Sequence, residues 1–281
     1  MKTNYELRYA AHPRDVKRYD TEELRRDFHI DNLFVANEVN MVYSMYDRMI
    51  VGGALPQGES LKLEAIDALK APVFLHRREL GIFNVGLGEG IVKVGDEKFT
   101  LKYKEALYLG AGDREVYFES KDAASPALFY FNSLVAHKTY PDKKITKENA
   151  IVAEMGSLES SNHRYINKMI VNQVLPTCQL QMGMTELAPG SIWNTMPAHI
   201  HSRRMEAYFY FDLPEEHAVC HFLGEPTETR HIWMKRNQAV LSPEWSIHSA
   251  AATNNYTFIW GMGGENLDYG DQDFFTFTEL R

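Results

Sequence analysis

Gly90-Ile91-Val92-Lys93-Val94-Gly95-Asp96-Glu97-Lys98-Phe99-Thr100-Leu101 carries a β pattern that recurs along the whole chain. Two short runs rich in β-branched residues flank Gly95-Asp96, a pair suited to a tight turn, so the stretch reads as a β-hairpin. Similar runs extend from it in both directions. Residues 39–43, 48–53 and 80–86 read as strands, and 106–111, 115–119 and 127–133 continue the series. The second half repeats the pattern at 177–187, 206–212, 218–223, 230–234, 238–241 and 257–261. Short strands at this spacing predict a sandwich or barrel.

The halves share a local grammar. Glu105-Ala106-Leu107-Tyr108-Leu109 in one is echoed by Gln238-Ala239-Val240-Leu241-Ser242 in the other. The expectation is a mainly all-β chain of two related barrels, residues 1–150 and 151–281, of which only the second has metal ligands. The clearest helical signal is near the start, where Asp20 or Thr21 can cap a short helix through Glu22, Glu23, Leu24, Arg25 and Arg26. Residues 136–163, with Pro141 and the basic pair Lys143-Lys144, read as a solvated connector.

Composition narrows the function. At 281 residues and 44% hydrophobic content, one large or two ordinary domains can each bury a core. The net charge of −8 argues against non-specific nucleic-acid binding and against docking to an anionic membrane. No run approaches the length of a membrane helix, and residues 1–14 are polar and mixed in charge, unlike a signal peptide. The two cysteines, Cys178 and Cys220, sit in apolar runs and read as buried free thiols. A reduced, cytoplasmic protein is expected.

The chemistry concentrates around His199-Ile200-His201. Residues two apart on a strand share a face, so both imidazoles can hold one ion. Glu206 has the wrong parity for an unbroken strand, which requires a bend within residues 202–205. His248 arrives from another strand, in Ser242-Pro243-Glu244-Trp245-Ser246-Ile247-His248. Three imidazoles and a carboxylate suit zinc, manganese or iron(II), and they resemble a catalytic site with an open position more than a closed, thiolate-rich structural one. His217, His221 and His231, like His12, His29, His76, His137 and His163, read as ordinary polar or partly buried residues.

Arg203 and Arg204 lie between the histidine pair and the glutamate, and Arg164 opens the second half. A guanidinium grips a carboxylate with two prongs, so an acidic sugar or keto acid is a fitting ligand for these three. Tyr208 and Tyr210 share a strand face with Glu206, which lets their hydroxyls reach a cavity.

The run from Gly190 to Asp212, with its His199, His201 and Glu206, resembles the 5-keto-4-deoxyuronate isomerase family. Further similarity lies in residues 242–249 and 256–262, in Gly264-Glu265-Asn266, and earlier in Met41-Val42-Tyr43-Ser44, Arg48-Met49-Ile50-Val51-Gly52-Gly53 and Arg77-Arg78-Glu79-Leu80-Gly81. It covers nearly the whole chain. Ile200 stands where the family commonly has threonine, and His76 where glutamate is common. The resemblance implies a bicupin fold, one zinc ion held by His199, His201, Glu206 and His248, and a hexamer. It also implies aldose–ketose isomerisation of a deoxy-keto-uronate during pectin breakdown. The catalytic base is not implied. A cupin dioxygenase using iron or manganese, and a non-catalytic sugar-binding cupin, are the competing readings of the same ligand set.

Overall fold

The computed structural model describes residues 2–265 and 267–281; Asn266, at the end of a motif noted above, lies outside them. The hairpin forms as the sequence predicts. Strands Gly90–Val94 and Glu97–Leu101 pair antiparallel with Val94 opposite Glu97, so Gly95-Asp96 is a two-residue loop. Gly95 takes φ +55°, in the left-handed region where a side chain is strained. Val92, Val94 and Leu101 turn into the core, while Lys98 stays in water.

The early helix also forms, at Thr21–Phe28. Its first turn is closed by a reciprocal pair. The Glu23 N–H donates to Asp20 Oδ1 at 2.9 Å, and the Asp20 N–H donates to Glu23 Oε2 at 2.9 Å. Leu24 and Phe28 are buried, and Phe28 meets the Trp245 ring edge-on at 6.2 Å. Among the described residues no helix is long and apolar enough to cross a membrane.

Contacts divide the chain into two compact units. The first holds strand Lys2–Arg8, residues Asn32–Ala150 and residues Met169–Gln181. The second holds Tyr9–Asp31, Ile151–Lys168 and Met182–Arg281. An early segment thus completes the second unit, where strand His29–Ile30 pairs with Gln238–Ser242.

Each unit has a seven-stranded and a four-stranded sheet; the order of the small sheet, and of the second to sixth strands of the large one, is the same in both. The first unit's large sheet runs Lys2–Arg8, Glu38–Ser44, Ile50–Ala54, Phe129–Val135, Arg78–Asn84, Ala106–Leu109, Lys143–Ile145. The second's runs Ile151–Met155, Arg164–Ile170, Gln181–Leu187, Thr257–Gly264, Arg204–Phe211, Gln238–Ser242, His29–Ile30. By position, Arg78–Asn84 therefore corresponds to Arg204–Phe211, and Ala106–Leu109 to Gln238–Ser242. The difference lies in what points inward. Leu80 and Ile82 join Leu107, Phe129 and Phe131 in an apolar core. The corresponding strand of the second unit turns Glu206, Tyr208 and Tyr210 inward, a polar row that an apolar filling would exclude.

Residues 136–163 are not the plain connector expected. Lys143–Ile145 adds to the edge of Ala106–Leu109, and Ile151–Met155 pairs with Arg164–Ile170. Edge strands are short and tolerate lysine, so their alternation is faint in sequence.

Glu79 anchors residues Met169–Gln181 within the first unit. Wholly buried, its carboxylate accepts from the Tyr108 hydroxyl and the Cys178 N–H, both at 2.8 Å, and from the Gln179 and Leu180 N–H groups, both at 2.7 Å. Glu79→Ala leaves four donors without an acceptor and is expected to cost about 4 kcal/mol of stability by chemical denaturation. A loss below about 1 kcal/mol would contradict this anchoring role.

Candidate metal centre

His199 lies on the short strand His199–Ile200, which pairs with Asp273–Phe274 near the end of the chain. The chain then turns at residues 201–203, and strand Arg204–Phe211 begins. This is the bend that the parity of Glu206 demanded. Glu206 lies opposite Ser242 on one side and Met262 on the other, at the centre of the sheet. His248 closes the loop that precedes strand Ser249–Ala252.

The four side chains converge. One ligand atom from each of His199, His201, Glu206 and His248 lies within 4.8 Å of all the others, and no other such group occurs among the described residues. His248 Nε2 is 3.0 Å from His199 Nε2 and 2.9 Å from Glu206 Oε2, and His201 Nε2 is 3.3 Å from the same oxygen. Ligands bound tetrahedrally to an ion at 2.0–2.2 Å stand about 3.3 Å apart, so these spacings fit one divalent ion. His201 Nε2 is buried with no aligned hydrogen bond. Such a nitrogen is costly to leave unless something binds it.

Electrostatics favours the ligand form of His199 and of Glu206. Burial, then the neighbouring His248 and His201, push His199 down to about 2, so its imidazole is neutral. Burial alone would raise the Glu206 carboxyl. The pull of His248, and then of His201, outweighs this and holds the group well below the usual carboxylate range.

The outward nitrogens of His248 and His201 are held too. His248 Nδ1 is 3.2 Å from Ser242 Oγ, which can pass its own proton to the Ser246 carbonyl at 3.3 Å. His201 Nδ1 is 2.9 Å from Asp271 Oδ1, and Arg204 Nη2 donates to the same oxygen. A carboxylate behind a ligating imidazole fixes its ring and tautomer. Asp271→Asn is expected to weaken metal affinity by about 10- to 100-fold while the protein stays folded. Competition against a chromophoric chelator measures this, and unchanged affinity would remove Asp271 from the site.

The ligands open onto a cavity of about 470 Å³. Ile166, Phe258, Trp260, Met262 and Phe274 give it apolar walls, and Thr195, Tyr208, Tyr269 and Gln272 add polar groups. Tyr208 Oη is 2.9 Å from Thr195 Oγ1. Arg164 also lines it. Its Nη1 donates to the Asn162 carbonyl at 2.9 Å, and it forms no ion pair among the described residues. Burial lowers its pKa, the mark of a cation short of counter-charge.

The other two arginines stand elsewhere. Arg203 is exposed, and its carbonyl accepts the Glu265 N–H at 2.9 Å. Arg204 is 1% exposed and faces Asp271 and His201. Neither lines the cavity.

Two features escape a reading by spacing. Asp271 lies 65 residues beyond Glu206, and the pairing of Asp273–Phe274 with His199–Ile200 brings it back. His221, grouped in sequence with His217 as ordinary, is wholly buried with Nδ1 2.7 Å from Tyr210 Oη. Burial, then His248, pushes it down to about 3.

A mostly β chain of this topology, carrying three imidazoles and a carboxylate aimed at one point, is a cupin-type protein with a candidate metal centre. More narrowly, the chain belongs to the KduI/IolB family, whose sequence model matches residues 29–277. It is 78% identical over 281 residues to 4-deoxy-L-threo-5-hexosulose-uronate ketol-isomerase 1 of Bacteroides thetaiotaomicron, covering 100% of both chains. A ketol-isomerase of the same name from Formosa agariphila is 58% identical over 281 residues, again covering 100% of both. Among solved structures, an IolB-like protein of Salmonella typhimurium superposes with TM-score 0.67 at 15% identity, covering 81% of this chain and 87% of that one. The oxalate decarboxylase of Lactobacillus farciminis gives 0.55 at 10% identity, covering 80% and 79%. At such identities the structural matches speak for the fold alone.

Proposed function

We propose that this chain is a metal-dependent aldose–ketose isomerase that converts 5-dehydro-4-deoxy-D-glucuronate to 3-deoxy-D-glycero-2,5-hexodiulosonate. The observation that carries the reading is full-length identity of 78% to a ketol-isomerase, joined to an intact three-histidine, one-glutamate cluster. Zinc is the proposed metal, one per chain, since neutral imidazoles and a carboxylate suit it. The protein is proposed to work in the cytoplasm as a homo-hexamer, within the breakdown of pectin-derived uronates.

The substrate carries an aldehyde at one end, a hydroxyl on the next carbon and a keto acid at the other end. Isomerisation takes a proton from the hydroxyl-bearing carbon and returns one to the aldehyde carbon. A metal held by His199, His201, Glu206 and His248 supplies Lewis-acid polarisation of the reacting oxygens. The chain's own side chains bind and orient the substrate. Arg164 holds the carboxylate in a two-pronged grip, which fixes the substrate's direction in the cavity. Phe258, Trp260 and Met262 exclude water from the reacting carbons. Tyr208, steadied by Thr195, offers its hydroxyl proton to an oxygen on which charge develops.

The test is turnover of the purified protein on 5-keto-4-deoxyuronate, followed by NMR, with oxygen uptake recorded in parallel. Formation of the 2,5-diulosonate without oxygen consumption is expected. Oxygen uptake with iron or manganese in the site, and no isomer, would favour a dioxygenase instead.

A further inference from the structure

The first unit holds no metal-ligand group among its described residues, and its interior is apolar. It nevertheless has a cavity of its own, of about 180 Å³. Tyr43, Arg48, Arg77 and Arg78 line it, with Leu69 and Phe74 among its apolar walls. Three sequence motifs that the metal centre leaves unexplained converge here: residues 41–44, 48–53 and 77–81.

Arg77 and Arg78 are held in place but not neutralised, and the exposed Arg48 guanidinium stands beside them. Arg78 is 3% exposed; its Nε donates to Ser133 Oγ at 3.0 Å, and its Nη2 to the carbonyls of Arg48 at 2.6 Å and Ser133 at 2.7 Å. Nη1 has no hydrogen-bond partner among the described residues. Arg77 is tethered through Nη2 to the carbonyls of Leu69 and Lys70, at 3.2 and 3.1 Å. No carboxylate lines the cavity, and none of the three guanidiniums forms an ion pair among the described residues. Glu79, next in the chain, points to the opposite strand face and spends its oxygens on Tyr108 and three backbone N–H groups. Burial pushes Arg78 down to about 10, against Tyr43 and Glu79, and the charge of Arg48 adds to the push.

The second unit shows what is missing. Arg204 heads the strand that corresponds to the one Arg78 heads, and there Asp271 supplies the counter-charge. In the first unit that role is unfilled by the protein. A cavity of this volume has room for about six waters, the size of a small organic acid.

We propose that this cavity is a second ligand site, which binds the carboxylate or phosphate group of a small metabolite through Arg48, Arg77 and Arg78. Guanidiniums without a carboxylate partner, two of them tethered, suit the paired oxygens of either group. Tyr43 and the apolar walls take the rest of the molecule.

Calorimetric titration of the full chain tests this, with D-galacturonate and inorganic phosphate as separate probes. Arg164→Ala removes the anionic anchor of the metal-centred cavity, so the site in the first unit is read in that background. One probe or both is expected to bind there at one per chain. Galacturonate binding identifies a carboxylate site, and phosphate binding a phosphate site. Adding Arg48→Gln and Arg77→Gln, both exposed positions, is expected to weaken that binding at least about tenfold. In the otherwise unaltered chain the same two changes should leave isomerase turnover unchanged. Failure of both probes to bind in the Arg164→Ala background, or binding indifferent to the two glutamines, would overturn the proposal.

Discussion

His248→Ala is expected to leave a folded protein that carries almost no metal and turns over at least about 10³-fold more slowly. The imidazole contributes one of four converging ligand atoms, 3.0 Å from His199 Nε2 and 2.9 Å from Glu206 Oε2. Its removal takes away a ligand and the nearest side-chain partner of a buried carboxylate together. Lewis-acid polarisation supplies several kcal/mol at a transition state, and each 1.36 kcal/mol is a tenfold change in rate. Elemental analysis and turnover, with circular dichroism as a check on folding, read the three effects separately. Retained activity in a metal-free variant would take the metal out of the mechanism.

The second large effect concerns Arg164. Arg164→Met keeps much of the side-chain bulk but removes the guanidinium that lines the cavity. A charge-assisted, two-pronged bond is worth about 2–3 kcal/mol, so KM is expected to rise about 30- to 160-fold. Metal content should stay as in the parent chain, because Arg164 touches none of the four ligands. Arg203→Met, at an exposed position outside the cavity, is the matched control and should leave KM unchanged. If Arg203→Met raises KM and Arg164→Met does not, the substrate carboxylate lies elsewhere.

What was legible in the sequence follows the range of the interactions involved. Gly95-Asp96 between two strand-like runs and the Asp20–Glu23 cap are local patterns, and both formed where expected. The bend at residues 202–205 could be read because Glu206 had to share a face with His199 and His201, which parity forbids without it. The strand segments at Lys143–Ile145 and Ile151–Met155 were hidden because edge strands need no apolar alternation. Asp271 left no local trace, since a late strand pairing carries it to His201. Of the three arginines between or before the ligands, sequence proximity did not separate Arg164 in the cavity from Arg204 behind His201. Strand polarity and distant pairing decide that. His221 was passed over because burial, the property that sets it apart from His217, depends on which strand face closes over it.

The most direct test of the central claim is a chelation and reconstitution series on the purified protein, with metal content and isomerase turnover measured on the same samples. About one zinc per chain is expected at the outset, with loss of turnover in step with loss of metal and recovery when zinc alone is returned. Full turnover in a chain stripped of all metal would contradict it.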